Sequence, residues 1–183
     1  MMNKQTLKQQ IRKKYLQIRH TFPNKEQITL TINDYLEKFL EPYQRIALYY
    51  PINNEVNIWP VVKKLYQHKD IYLPVTNEVL VFRRLTDINR LVMGKMGILE
   101  PTGPKINNIN DLEVIVIPTI AISPGGYRLG YGKGYYDKCL DGYCGIKVGV
   151  IYSFQMCEIE YKEEHDLKFD IIISEKGYQK IGE

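Results

Sequence analysis

The amino-acid sequence predicts an α/β fold, a three-layer sandwich in which helices cover both faces of a mostly parallel central sheet. Segments with the spacing of amphipathic helices alternate with short apolar segments of strand length. These strand-like segments are apolar throughout, as in residues 114–118, which is typical of parallel strands buried on both faces. The 183 residues suffice for one hydrophobic core, so we expect a single domain spanning residues 1–183.

Two amphipathic helices are predicted at the start of the chain. In the first, apolar residues recur every three or four positions among lysines and arginines: Leu7, Ile11, Tyr15 and Ile18. Residues 22–24, which contain a proline, interrupt this pattern. The second helix has its own apolar series, which ends before the next proline: Ile28, Ile32, Tyr35, Leu36, Phe39 and Leu40.

The next elements alternate between strand and helix. Residues 45–50 predict a first strand, which the following proline stops. Residues 57–68 predict a helix, in which Pro60 is acceptable because it falls in the first turn. Residues 71–75 predict a second strand that ends at its proline, Pro74.

The second half of the chain has a less regular pattern before residue 114. Residues 80–85 predict an edge or hairpin strand, and residues 86–112 are expected to be mostly loop. Further elements are a strand at 114–118, a helix at 134–140 and strands at 147–151 and 170–173. On this layout a glycine-rich loop leaves the carboxyl end of a central strand, where open α/β sheets bind ligands.

That glycine-rich segment, residues 125–137, contains five glycines, the cations Arg128 and Lys133, and the carboxylate of Asp137. Glycines let backbone N–H groups approach an anion, and the cations suit phosphate oxygens. Neither the Walker loop nor the dinucleotide fingerprint fits the spacing. A plain surface loop with solvated cations is the alternative. The combination after a buried strand favours a nucleotide-phosphate site, with Asp137 as a candidate Mg²⁺ ligand.

The composition of the chain indicates which type of ligand and which cellular location to expect. A net charge of +4 suits a small anionic ligand and does not by itself argue for nucleic acid. Three cysteines without Cys-x-x-Cys spacing indicate free thiols in a reducing compartment. There is no apolar run of about 18 residues and no apolar N-terminal segment. We therefore expect a cytoplasmic protein.

Four residues outside the loop are further candidates for binding a metal ion, a substrate or phosphate. Asp166 ends an acidic run, which is usually a solvated face. Glu55 follows the first strand and is either a helix-start acid or a substrate-binding carboxylate. Lys8 and Arg12 share one helical face, which is normally exposed to solvent but can also reach phosphates.

The loop residues 128–137, Arg-Leu-Gly-Tyr-Gly-Lys-Gly-Tyr-Tyr-Asp, closely resemble the signature of 5-formyltetrahydrofolate cyclo-ligases, also called methenyltetrahydrofolate synthetases. Weaker similarities occur in the same order as in that family: Lys8-x-x-x-Arg12, residues 54–56, 97–101 and 114–118, and His165-Asp166. Together they span most of the chain. One departure is Ser123, because family members often have an aspartate at this position.

The resemblance implies an ATP- and Mg²⁺-dependent conversion of 5-formyltetrahydrofolate to 5,10-methenyltetrahydrofolate, with release of ADP and phosphate. The implied catalytic residues are Arg128 and Lys133. The implied ATP site comprises Lys8, Arg12, Arg128, Leu129, Gly130, Tyr131, Gly132, Lys133, Gly134, Tyr135 and Tyr136. The implied folate contacts are Tyr50, Glu55, Trp59 and Tyr136, although Trp59 equally suits a core position on its helix. The implied metal ligands are Asp137 and Asp166.

We accordingly expect two small-molecule substrates, no nucleic-acid or membrane partner, and a monomer, with a dimer as the alternative. Two other functions stay open from the residues alone. One is a different ATP-dependent kinase or ligase on the same scaffold. The other is a non-enzymatic module that binds RNA or another polyanion through the basic first helix.

Overall fold

The computed structural model describes residues 1–182. In chain order its elements are α1 (Lys4–Thr21), α2 (Lys25–Leu40), β1 (Arg45–Ala47), α3 (Trp59–Leu65), β2 (Asp70–Thr76), β3 (Leu80–Arg84), β4 (Val92–Met93), β5 (Leu99–Glu100), β6 (Val114–Ile117), β7 (Ala121–Ile122), β8 (Arg128–Leu129), α4 (Tyr135–Cys139), β9 (Ile146–Val150), β10 (Ile171–Ser174) and β11 (Gly177–Lys180). No helix among these residues is long and apolar enough to cross a membrane.

The first two helices begin and end where local chemistry allows it. The side chain of Asn3 caps α1 by accepting the Thr6 N–H at 2.8 Å. Asn24 separates the helices with a left-handed backbone, φ +60°, which asparagine tolerates better than most residues. The predicted break at residues 22–24 is therefore present.

Seven strands form the central sheet, in the order β11-β10-β9-β6-β1-β2-β3. The five inner strands are parallel, and the two edge strands β3 and β11 pair antiparallel. From β1 the chain moves outward to β2, whereas from β6 it moves outward in the other direction to β9. The loops after β1 and β6 therefore diverge, and they leave a crevice at the carboxyl edge of the sheet.

Both faces of the sheet are buried, because successive strand residues point to opposite sides. On one face Ile46 and Val114 pack beneath α2 and α3. On the other face Ala47 and Ile115 pack beneath α4 and neighbouring loops. The predicted three-layer sandwich with a mostly parallel sheet is confirmed.

Helix α1 lies on the small β7–β8 hairpin rather than on the main sheet. Ile11 and Tyr15 of α1 form a separate buried cluster with Leu129 of β8 and with Tyr161. This packing sets the basic face of α1 against the glycine-rich segment. The hairpin contains Arg128 and Leu129, so these two residues belong to a strand and not to the predicted loop.

Pro74 does not end the second strand, and that prediction is wrong. Strand β2 continues through it to Thr76 in antiparallel pairing with β3. The Tyr72 carbonyl accepts a hydrogen bond from the Leu48 N–H, on the side of β2 that faces β1. Pro74, two residues later, points its nitrogen to the same side, where β1 has already ended. The missing N–H of the proline therefore does not cost a hydrogen bond between strands.

Candidate active site

The crevice between the loops after β1 and β6 collects most of the residues singled out from the sequence. The loop after β1 contributes Tyr50 and Glu55, and the segment after β6 contributes the glycine-rich residues. Helix α1 closes one side through the Lys8 and Arg12 side chains. Their positions follow from the strand order, because β1 and β6 are neighbours at the centre of the sheet.

Arg128 is a buried cation at the base of the crevice, with 9% of its surface exposed. Its Nε donates to the Pro118 carbonyl at 2.8 Å, and its guanidinium lies 4.9 Å from the centre of the Tyr136 ring. Burial lowers the pKa of Arg128, but an arginine remains charged throughout the physiological range. A Cβ at Gly130 would lie 2.5 Å from the Arg128 Nη1 atom, so a larger residue there would displace the guanidinium.

Arg12 connects α1 with the glycine-rich loop. Its Nε donates to the Gly130 carbonyl at 2.7 Å. At Gly132, with φ +98°, an added Cβ would lie 3.4 Å from the Arg12 guanidinium carbon. The helix and the loop are therefore in direct contact, and the positive φ at Gly132 favours glycine there.

Lys8 is a buried lysine that forms ion pairs with two partly exposed carboxylates of a distant segment. Its Nζ lies 2.7 Å from Asp166 Oδ2 and 2.6 Å from Glu163 Oε2, and the residue is 6% exposed. Asp166 also accepts the Glu163 N–H at 2.9 Å. Lys4, one turn earlier, instead donates to the Lys162 carbonyl. The structure thus brings together Lys8 and Asp166.

Lys133 is exposed at the end of the loop, just before α4. Within residues 1–182 the only polar contact of its ammonium group is the Met96 sulfur at 3.8 Å. Tyr135 is more constrained, because it is partly buried against the core on the α4 side of the sheet; its hydroxyl lies 3.5 Å from the Asn77 carbonyl. Leu129 differs, because its side chain is part of the buried cluster beneath α1, so that only its backbone is suited to a ligand contact.

The two predicted metal ligands are neighbours. Asp137 Oδ1 accepts the Leu167 N–H at 3.0 Å, and Asp166 directly precedes Leu167. No group of three or more potential metal-binding side chains exists in the part of the chain that the structure describes. Two carboxylates beside the glycine-rich loop still fit Mg²⁺, which usually takes one or two carboxylates together with substrate phosphates and water.

Glu55 is a buried carboxylate on the other side of the crevice, 7% exposed. One oxygen accepts the Ile52 N–H at 2.9 Å, and the other accepts the Tyr131 hydroxyl at 3.3 Å. Burial raises the pKa of Glu55, and the Ile52 hydrogen bond and the Arg19 charge oppose this rise. Glu55 is therefore oriented by the protein, and it lines the adjacent cavity.

A cavity of about 610 Å³ opens beside Glu55, between α2 and the loop after β1. Tyr50 and Trp59 form one wall, with their rings edge to face at 4.9 Å. Trp59 also packs on the main core, and its contact with the folate stays a prediction. Tyr136 does not line the cavity; it is buried beneath Arg128 and against Phe82.

Arg19 is a functional candidate that the sequence interpretation missed. It is 1% exposed, and its Nη2 donates to the Tyr131 hydroxyl at 2.9 Å. It continues the stripe of Lys8, Arg12 and Tyr15 along α1 at spacings of three and four residues. That spacing was the available signal, because a cation on the apolar side of a helix is expected to have a buried partner.

Ser123 occupies the turn that precedes Arg128, and a carboxylate reaches this turn from elsewhere in the chain. Glu160 Oε2 accepts the Ser123 hydroxyl at 3.1 Å and the Gly125 N–H at 2.9 Å. Partial burial raises the pKa of Glu160, but these hydrogen bonds and one from the Lys162 N–H outweigh it, so the pKa is lowered. Glu160 thus holds the turn that leads into β8.

We expect Glu160→Gln to lower the melting temperature at pH 7 by about 2–4 °C, equivalent to about 1 kcal/mol at an exposed site. A carboxylate with a lowered folded-state pKa stabilises the fold above its unfolded pKa of about 4.3 and loses that effect as pH falls through the folded-state pKa. The difference from wild type should therefore vanish in acid. Thermal unfolding at several pH values measures it. Exposed Glu164→Gln is the control, and an equal difference at every pH would contradict the prediction.

Comparisons with known proteins give a consistent family match. The model of the 5-formyltetrahydrofolate cyclo-ligase family matches residues 3–175. A 5-formyltetrahydrofolate cyclo-ligase from Haemophilus influenzae is 31% identical, over 91% of this chain and 97% of its own length. One from Mycoplasma pneumoniae is 28% identical, over 96% of this chain and 100% of its own.

Solved structures agree with the sequence matches. The NMR structure of 5,10-methenyltetrahydrofolate synthetase from Aquifex aeolicus superposes with a TM-score of 0.86 at 33% identity, and the match covers 97% of this chain and 94% of that one. The synthetase from Mycoplasma pneumoniae superposes with a TM-score of 0.76 at 27% identity, over 92% and 98% of the two chains.

Proposed function

This chain belongs to the 5-formyltetrahydrofolate cyclo-ligase family, and from that premise we propose how its crevice performs the family's reaction. The enzyme converts 5-formyltetrahydrofolate to 5,10-methenyltetrahydrofolate and uses ATP as its co-substrate. Family membership favours this activity over a different kinase or ligase and over a non-enzymatic polyanion-binding module. The roles of individual residues below are our proposal.

The chemical difficulty of the reaction is that a formamide oxygen is a poor leaving group. In the proposed first step the formyl oxygen attacks the γ-phosphorus, and ADP leaves. The N10 nitrogen then attacks the activated formyl carbon and loses its proton. The carbon–oxygen bond breaks with release of inorganic phosphate, and the methenyl bridge remains. Such a sequence needs alignment and charge neutralisation rather than a protein nucleophile.

The phosphate side of the crevice is proposed to bind ATP. Arg128 and Lys133 neutralise the charge on the transferred phosphoryl group, while Lys8 and Arg12 hold the triphosphate from α1. The backbone of residues 130–134 lies against it. Support comes from the Arg12–Gly130 contact, which already brings the helix to the loop at 2.7 Å.

Mg²⁺ belongs to the proposal as a companion of the nucleotide. Asp137 and Asp166 would hold it, directly or through water, as two neighbouring carboxylates allow. When bound, it neutralises charge on the phosphate oxygens. In the present structure the Lys8 ammonium already neutralises Asp166, at 2.7 Å.

The folate side is proposed to bind the pterin ring. The Glu55 carboxylate accepts hydrogen bonds from the ring N–H and the amino group, and Tyr50 and Trp59 form the apolar wall of the cavity. Tyr136 acts between the substrates by holding the guanidinium of Arg128. The observation that best supports this function is the contact between the phosphate side and the folate side of the crevice. The Tyr131 hydroxyl of the phosphate loop lies 3.3 Å from Glu55 Oε1.

The purified protein is expected to form product from 5-formyltetrahydrofolate and Mg-ATP, followed by the near-ultraviolet absorbance of the methenyl bridge. The rise should require ATP and should disappear when Mg²⁺ is chelated. A flat trace from folded protein that binds ATP would overturn the folate assignment. A rise that persists after chelation would overturn the metal assignment alone.

Glu55→Gln is expected to raise the KM for the folate at least about tenfold with little effect on the KM for ATP. A hydrogen bond to a charged group contributes about 1.5–3 kcal/mol, and 1.4 kcal/mol is a factor of ten. Because burial raises the pKa of Glu55, folate binding should be lost in acid at a pH above the ordinary glutamate value. Steady-state kinetics across pH measures both effects. The glutamine variant should lack this acid limb, and equal rises in the two KM values would contradict a pterin contact.

We also propose that residues 1–183 act as one domain, as a cytoplasmic monomer on small molecules alone, without nucleic acid or membrane. The continuous seven-stranded sheet and the family match over residues 3–175 support the single domain. Sedimentation of the purified protein checks the monomer.

A further inference from the structure

Tyr131 is the residue at which the phosphate loop contacts the folate side of the crevice. Its hydroxyl accepts a hydrogen bond from Arg19 Nη2 at 2.9 Å and donates one to Glu55 Oε1 at 3.3 Å. Tyr131 lies between Gly130 and Gly132, in the part of the loop that Arg12 contacts. A change in this part of the loop therefore acts directly on the surroundings of Glu55.

Arg19 fixes one end of this connection. It is among the largest fully buried side chains, and its Nη1 donates to the Thr119 carbonyl at 3.3 Å. Gln155 donates to the same carbonyl at 3.0 Å, so the segment after β6 is held from two sides. The Arg19 Nε atom is buried and has no hydrogen-bond partner among residues 1–182. A buried cation with an incomplete set of partners is expected to have a role beyond packing.

The Tyr131 ring, in contrast, is not part of any of the three buried hydrophobic clusters, and the residue is 40% exposed. The position of the hydroxyl therefore depends on the conformation of the loop. When phosphates fix the conformation of the loop, they also hold the hydroxyl at Glu55. The folate then loses less of its binding free energy to ordering this part of the protein.

We propose that Arg19, Tyr131 and Glu55 couple the two substrates, so that a nucleotide on the phosphate loop strengthens binding of the folate and the folate strengthens binding of the nucleotide. Arg19 and Tyr131 act here as positioning residues, through Glu55. The proposal rests on the function proposed above. Linkage requires the two enhancements to be equal, which makes the coupling measurable from either side.

Calorimetric titration with 5-formyltetrahydrofolate, with and without a saturating non-hydrolysable Mg-ATP analogue, tests the proposal. For each protein, the coupling factor is the folate dissociation constant without the nucleotide analogue divided by the constant with it. A substitution that weakens folate binding equally in both titrations therefore leaves this factor unchanged. We expect wild type to show a factor of about 5–150, the usual range for coupled sites. Tyr131→Phe, which removes only the hydroxyl, should bring the factor to about 1.

Two further variants make the result specific. Arg19→Lys keeps the positive charge but loses the planar group that reaches Thr119 and Tyr131 together, so its factor should also fall. Tyr127→Phe is the matched control, because its hydroxyl lies outside this connection, and it should keep the wild-type factor.

Three results would overturn the inference. A wild-type factor of 1 would show that no coupling exists, and an unchanged factor in Tyr131→Phe would show that the hydroxyl does not carry it. Either leaves the proposed function intact, since both ligands still bind. Wild-type protein that binds nucleotide but not 5-formyltetrahydrofolate would overturn the inference and the proposed function together.

Discussion

Replacement of Arg128 by alanine is expected to lower kcat/KM by on the order of 10³-fold, the lower end of what an arginine contributes at a transferring phosphoryl group. The guanidinium is already in place before substrate binds, because it stacks on Tyr136 and donates to the Pro118 carbonyl. The same burial predicts a structural effect. Loss of the side chain leaves that carbonyl without its donor, which costs about 1–3 kcal/mol of stability.

Arg128→Lys separates the two effects of the alanine change. Lysine keeps the charge but cannot reproduce the planar contact with Tyr136, so activity should stay well below wild type while much of the stability returns. Initial rates and thermal unfolding of both variants measure this. Wild-type kcat/KM in folded Arg128→Ala would remove this residue from the catalytic assignment.

Lys133→Ala is expected to lower kcat/KM for ATP by on the order of 10²–10³-fold, as for other groups that stabilise developing charge, with no loss of stability. Lys133 is exposed and its ammonium touches only the Met96 sulfur in the described chain, so the fold does not depend on it. A flexible ammonium group at the end of the proposed phosphate loop is suited to follow the γ-phosphoryl group during transfer. Steady-state kinetics with ATP as the varied substrate measures the loss.

Lys38→Ala is the matched control for Lys133. Lys38 is an exposed lysine near the end of α2, close to where β1 begins, at the edge of the sheet away from the crevice. It should show wild-type rates, since only the net charge changes. A similar loss in both variants would assign the effect to general electrostatics rather than to the loop.

Local patterns were enough to predict most of the secondary structure. The apolar spacing of α1 and α2, the break between them, and the apolar strand β6 depend on neighbouring residues alone, and all three are present. The predictions failed where a distant partner decides the outcome. Pro74 remains inside β2 because β1 has ended beside it. Arg128 lies in a strand because β7 pairs with it.

The site residues likewise divide into those that local sequence indicates and those that depend on distant partners. The glycine-rich segment was recognisable because its glycines, cations and carboxylate are contiguous, and the resemblance of residues 128–137 to one family is specific. Arg19 was missed because its helical spacing indicates a buried position but does not identify the distant partners, Thr119 and Tyr131. Glu160 was missed for the same reason, since it reaches Ser123 from 37 residues away.

The sequence by itself determined the fold class and the family and singled out the glycine-rich segment, because each is encoded in local spacing or in a contiguous motif. Only the tertiary structure decided which side chains meet. Lys8 lies on Asp166, 158 residues later, and Tyr131 lies between Arg19 and Glu55. The physical reason is the strand order. Placing β1 beside β6 brings distant loops to one edge of the sheet, and no local pattern contains that order.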